Sequence, residues 1–237
     1  NAENSALKNG VNLISYLSAS GYSDAADTLS AQEGSGFRAH IVGGIVGVNG
    51  RTHFIDHCEN TGTMNGLTAL GGVVGLNKGL VLNCTLAGSM GSATQDCVGG
   101  IVSLNVGSGD TITYNNTRYA RGTVTACSTK SGTTVTGRRN VGGVAGISKS
   151  TIRESCAKGR LSGAKQVGGI VGSGVTDSVT GGGSTVSGCT ALVRIGAYEQ
   201  YAGAIAGSDA GAFAQNRFVS DALAGLHRQS RRRRTAS

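Results

Sequence analysis

Apolar residues in this chain fall into short runs broken by Gly, Asn, Ser and Thr, and the runs recur as one phrase. Val42–Asn49, "VGGIVGVN", returns as "LGGVVGLN", "VGGIVSLN", "VGGVAGIS", "VGGIVGSG" and, eroded, "AGAIAGSD". The glycine pairs begin at Gly43, Gly71, Gly99, Gly142, Gly168 and Gly203, at intervals of 28, 28, 43, 26 and 35 residues. The unit is therefore 26 to 28 residues, with insertions at Val106–Thr123 and Gly174–Ser184. A second phrase follows each first one: "IDHCENTGTMNG", "VLNCTLAGSMGS", "VTACSTKSGTTVTG", "IRESCAKGRLSG" and "VSGCTALVRIGA". Two phrases in a constant order at a near-constant period are the signature of a repeat architecture.

The runs are too short and too glycine-rich for helices and suit β-strands. One unit cannot bury its apolar face alone, whereas stacked units can, through backbone hydrogen bonds between coils about 4.8 Å apart. The pattern predicts an all-β fold, a β-solenoid (β-helix-like) of about six coils. Ile45, Val73, Ile101, Val144, Ile170 and Ile205 form one predicted apolar ladder. Val42, Leu70, Val98, Val141 and Val167 form another. On a continuous strand Gly43, Ile45 and Gly47 share one face, and Val42 and Val46 the other. Glycine columns at Gly43 and Gly71 then allow close approach of a second layer. Residues 1–40 lack the phrase. Leu7, Val11, Ile14 and Leu17 there have helical spacing, and Ser23 could cap a second helix, which predicts a short N-terminal helical cap. The solenoid is expected over 41–226, followed by a basic tail at 227–237.

At this point the phrases "GGIVGVN…CENTGTMNG" and "GGVVGLNKGLVLNCTLAGSMG" resemble the GLUG-motif repeat family. Such repeats occur in large bacterial surface and secreted proteins, including the non-catalytic part of some immunoglobulin A1 peptidases. The resemblance spans residues 41 to about 226. It implies a secreted or cell-surface bacterial β-solenoid, and it carries over neither peptidase activity nor catalytic residues.

Composition adjusts this picture in two places. The net charge is +8, but Arg228 and Arg231–Arg234 supply five of those charges, which leaves +3 for the body. The tail thus offers Arg231, Arg232, Arg233 and Arg234 as a polyanion contact, without the interleaved aromatics of specific nucleic-acid binding. With 41 glycines, no proline and no long apolar run, neither collagen nor a membrane-spanning helix fits. Asn1 stands first, which a removed signal peptide or excision from a longer chain would explain.

Candidate chemistry is sparse. Cys58, Cys84, Cys127, Cys156 and Cys189 are expected at one place in successive coils, as a buried apolar column or as bridged pairs. They lack the C-x-x-C spacing of a zinc site. His53 and His57 in "HFIDH" lack the Glu of a zincin and fall in a predicted strand. The glycine phrase lacks the Gly-Lys-Ser/Thr of a phosphate loop. Asp56, Glu59 and Asp110 are scattered, with no acidic ladder of the kind a glycosidase needs. No cofactor or metal is expected. The expected function is a non-catalytic adhesive or structural module that meets a host or neighbouring-cell glycan or protein. A self-assembling filament or surface-layer subunit is the alternative, and a polysaccharide-active enzyme a distant third. Tyr114, Arg118, Tyr119 and Arg121, in the first insertion, are the most interface-like cluster.

Overall fold

The computed structural model describes residues 41–219 except 66–68, 108, 176–182 and 209–210, with side chains at 197 and 198 also excluded. It also describes the backbone of three short strands, Leu7–Lys8, Val11–Asn12 and Tyr16–Ser18.

The chain is a β-solenoid whose coils run along three parallel walls. The first wall has six strands, from Val46–Asn49 through Val74–Asn77 and Val102–Asn105 to Ala206–Ser208. The second has seven, among them Phe54–Asp56, Leu80–Leu82 and Thr151–Arg153. The third has fifteen and holds the longest strands, Cys156–Gly168 and Thr190–Gly203.

The register follows the glycine phrase. Ile45 N donates to Val73 O at 2.9 Å, and the same link runs from Val73 to Ile101, to Val144, to Ile170 and to Ile205. Val42 pairs with Leu70, which pairs in turn with Val98, Val141 and Val167. Val73, Ile101, Val144 and Ile170 are fully buried. At about 1.5–3 kcal/mol for each buried aliphatic side chain, these columns dominate the stability of the stack.

The glycine pair makes a corner rather than the middle of a strand. Strands end at Gly43 and resume at Val46, with a bend at Gly44 and Ile45. Gly43, Ile45 and Gly47 therefore do not share one strand face. The close approach expected of the glycines is real, but it occurs at this corner. A Cβ on Gly71 would run into the Val74 carbonyl oxygen and lie 2.7 Å from Ser103 N of the next coil. Gly43, Gly99, Gly142 and Gly168 are crowded by the carbonyl three residues on in the same way.

Two polar features close the coils. Asn49, Asn77 and Asn105, each ending the phrase, stack in the interior: Asn49 Nδ2 donates to Asn77 Oδ1 at 2.8 Å, and Asn77 Nδ2 to Asn105 Oδ1 at 2.9 Å. Such a ladder gives the Asn77 and Asn105 carbonyl oxygens partners that buried amides otherwise lack at a cost, while Asn49 Oδ1 at its end has none among the described residues. At the turn from second to third wall, His57, Asn83, Ala126, Glu154 and Gln215 all have φ between 52° and 55°, and Gly188 has 62°. Most coils thus force a side chain into a left-handed corner that glycine would occupy without strain.

The N-terminal expectation changes where it can be seen. Leu7, Val11 and Leu17 lie in strands, not a helix, and pair with Ile55, Glu59 and Met64 of the following coil. This part of residues 1–40 adds strands to the second and third walls, so the parallel stack starts ahead of Ile41. Ile14, Ser23 and the rest of the predicted cap lie outside the described residues, as does the tail at 227–237.

Candidate functional site

The first insertion folds back on the body. Thr111–Tyr114 and Thr117–Ala120 form an antiparallel hairpin. It covers the outward apolar side chains of the second wall. Ile112 and Tyr114 are buried with Leu80 and Leu82, with Phe54 and Tyr119 packed against them. The Phe54 and Tyr114 rings lie 4.2 Å apart. Arg153 sits over the Tyr119 ring at 5.1 Å. Arg121 pairs with Asp110 at 3.0 Å, and Arg118 Nε donates to Thr111 Oγ1 at 2.8 Å. Three of the four residues expected to make external contacts, Tyr114, Tyr119 and Arg121, thus serve the hairpin's own attachment. Arg118 alone remains exposed. The second insertion is mostly outside the described residues.

Asp56 pins the hairpin. Its side chain is 2% exposed and receives Tyr114 Oη at 2.7 Å and Asn83 Nδ2 at 2.8 Å, with His57 Nδ1 2.6 Å away. Burial by itself would raise the Asp56 pKa. The donors Asn83, Tyr114 and His57 outweigh it and hold the carboxyl below the ordinary carboxylate range. The carboxylate is spent on structure, and His53 and His57 belong to no group of three or more His, Cys, Asp and Glu side chains placed to hold a metal ion among the described residues.

The cysteine column differs from expectation by one member. Cys58, Cys84 and Cys127 occupy one corner position in consecutive coils, but the next coil places Ser155 there: Cys156 pairs with Ser128 and Thr190, one residue further on. Cys189 N then meets Asn216 Oδ1 at 2.9 Å in the following coil. Each column side chain donates across its left-handed corner to the carbonyl two residues back. Cys84 Sγ reaches Leu82 O at 3.1 Å, Cys127 Sγ reaches Thr125 O at 3.3 Å and Ser155 Oγ reaches Arg153 O at 2.9 Å. The column is a set of corner clamps, and all six cysteines are thiols. The hydrogen bond to Cys127, helped by burial, pushes the Cys84 thiol well up, and burial pushes Cys189 up to about 11. Raised values keep both protonated and unreactive at neutral pH.

The outward face of the third wall carries a feature the sequence reading missed. Inward, Met64, Met90, Val135, Leu161 and Ile195 stack in one column. The adjacent outward column runs Ser89, Thr134, Arg160, Arg194. Lys130, Lys158, Arg160 and Arg194 are all exposed. Further along the same wall Asp96, Arg139 and Lys165 pair in sequence. Asp96 is 3% exposed and holds Arg138 at 2.6 Å and Arg139 at 3.0 Å, while Lys165 meets Glu199 at 3.5 Å. The signal for this patch was present in the sequence. Residues 128–139, 156–168 and 190–196 contain seven Lys or Arg, apart from Arg194 all in the first two segments, and no Asp or Glu.

No protein-family model, curated protein or solved structure matches the chain.

Proposed function

We propose that the chain is a non-catalytic module, secreted or displayed at a bacterial surface, that uses the third wall of the solenoid for adhesion. The observation that carries this reading is the outward face of that wall. It holds Ser, Thr, Lys and Arg side chains in fixed columns on parallel strands, a preorganised surface of large extent. The buried carboxylates support the same reading, since Asp56 and Asp96 are each engaged by several donors from neighbouring coils. The GLUG-like phrasing agrees with a surface setting. The hairpin insertion moves from contact to cover, because its aromatic residues face the body. Self-assembly is favoured by a separate observation: Tyr201 and Phe218, on the last described coil, are 64% and 56% exposed. The test is purified protein incubated with a panel of polysaccharides while reducing ends are measured. Binding without sugar release is expected. Release that disappears in Asp56→Asn or Asp110→Asn would overturn the non-catalytic reading.

A further inference from the structure

The third wall contains two like-charge rungs that are treated differently. Arg139 stands directly opposite Lys165, and the structure supplies an acid to each: Asp96 to Arg139 and Glu199 to Lys165. Arg160 stands directly opposite Arg194 on the next coil, and neither makes an ion pair among the described residues. Like charges directly opposite on neighbouring strands are destabilising. Lys158, two residues before Arg160 on the same face, adds a third positive charge, and Lys130 occupies the preceding coil. The hydroxyl-bearing Thr134 and Ser162 lie in the same surface. A solenoid coil that can place Glu199 beside Lys165 has the means to balance the other rung. It is left unbalanced on a solvent-facing part of the wall.

We propose that the rung Arg160–Arg194, flanked by Lys158 and Lys130, is a binding site for a linear polysaccharide bearing uronate carboxylates. The partner's charge is set by the rung. Guanidinium forks match carboxylates bidentately, and the two strands that carry them run about 4.8 Å apart, so two forks on adjacent coils can meet successive carboxylates along a polymer. Its class is set by the surroundings. The segments that carry and flank the rung, residues 128–139, 156–168 and 190–196, contain no aromatic side chain, and the wall's exposed Tyr201 lies seven residues beyond Arg194, so the rung itself lacks the stacking platforms that single-stranded nucleic acids use. Hydroxyls between the cations suit sugar hydroxyls instead. The site names a ligand class for the adhesive wall and so rests on that reading, but it does not depend on the absence of catalysis.

The experiment uses the full chain with polygalacturonate as probe, and neutral dextran and oligodeoxythymidylate as comparisons, over a range of salt. Wild type should bind polygalacturonate in preference to both, more weakly as salt rises. Arg160→Thr/Arg194→Thr, which continues the column of Thr134, should weaken that binding by roughly tenfold or more at low salt. The same double variant should melt at or above the wild-type temperature, because the like-charge rung is gone. A variant with Arg231, Arg232, Arg233 and Arg234 changed to Gln controls for the tail and should retain most of the affinity. Absent polygalacturonate binding, unchanged binding in the rung variant, loss of binding in the tail variant alone, or equal affinity for oligodeoxythymidylate would each overturn the proposal. Sugar release from the bound polymer would overturn the non-catalytic reading instead and leave the site standing.

Discussion

Gly71 and Gly47 carry the same letter in one repeated phrase and should respond to alanine with opposite signs. At Gly71 an added Cβ would collide with the Val74 carbonyl oxygen and stand 2.7 Å from Ser103 N. Both obstacles are backbone, so they cannot rotate away. Relief requires the corner to open. That strains two inter-coil bonds, Gly44 N to Gly71 O at 3.1 Å and Gly72 N to Gly99 O at 3.0 Å. Each buried bond left unmade costs about 1–3 kcal/mol, against which restricting the unfolded chain returns about 0.4–1 kcal/mol. Gly71→Ala should therefore destabilise the fold by roughly 2–5 kcal/mol. Gly47 is exposed, and nothing lies within 4 Å of where its Cβ would be. Gly47→Ala should stabilise by about 0.4–1 kcal/mol through the unfolded chain alone. A Cβ on Gly75, the counterpart of Gly47 one coil on, would stand 2.6 Å from Gly47 O and nearer still to Ile41 Cγ2, so Gly75→Ala should behave like Gly71→Ala. Urea denaturation followed by far-ultraviolet circular dichroism reads all three midpoints. Equal midpoints for Gly71→Ala and wild type, or a loss at Gly47 comparable to that at Gly71, would refute the corner argument.

Two further outcomes are expected. Asp56 is held below its ordinary pKa in the folded state, so its contribution is fully present above the unfolded carboxylate value near 4 and is lost as pH falls through the folded value. Acid should release the hairpin before the stack melts. Near-ultraviolet dichroism of Tyr114 and Tyr119 reads this, and Asp56→Asn should flatten the pH dependence while costing about 1–3 kcal/mol at pH 7. A hairpin signal in wild type that persists below pH 3 with the slope of the variant would count against the Asp56 pin. Ala126 holds φ 54° at an exposed corner where another coil uses Gly188. Ala126→Gly should raise stability by up to about 1 kcal/mol by removing left-handed strain, and a lowered melting temperature would contradict that account.

The apolar ladders were legible because the glycine pair marks a fixed point in every coil, from Ile45 to Ile205. The cysteine column was legible only in part. Alignment on cysteine itself places Cys156 in the column, whereas the register follows the inward apolar residue three positions earlier. Ile55 precedes Cys58, Val81 precedes Cys84 and Val124 precedes Cys127 by three, and by that measure Ile152 leads to Ser155. The N-terminal strands were misread for a related reason. A coil turns between short strands, and Leu7, Val11 and Leu17 fall on three separate ones at intervals of four and six residues that, with Ile14 between them, imitate helical spacing. The hairpin's destination had a signal that went unused. Phe54, Leu80 and Leu82 are apolar at outward positions of the second wall, where Thr151 and Arg153 stand further along, and apolar outward positions need a cover.

Inward and outward columns of the third wall obey different constraints, and this bears on where function can lie. The inward column keeps large apolar residues from Met64 to Ile195, because each must fill the same cross-section. The outward column next to it shares the same backbone register and is free of that demand. It nevertheless changes in one direction, from Ser89 and Thr134 to Arg160 and Arg194. Threonine there already satisfies the strand, with high β-propensity and no charge to oppose. Replacing it by two facing arginines works against the fold, and packing supplies no compensating gain. A residue choice that costs stability on an exposed, rigid surface is best accounted for by what the surface binds, and the polygalacturonate experiment with the rung variant addresses both halves of that claim at once.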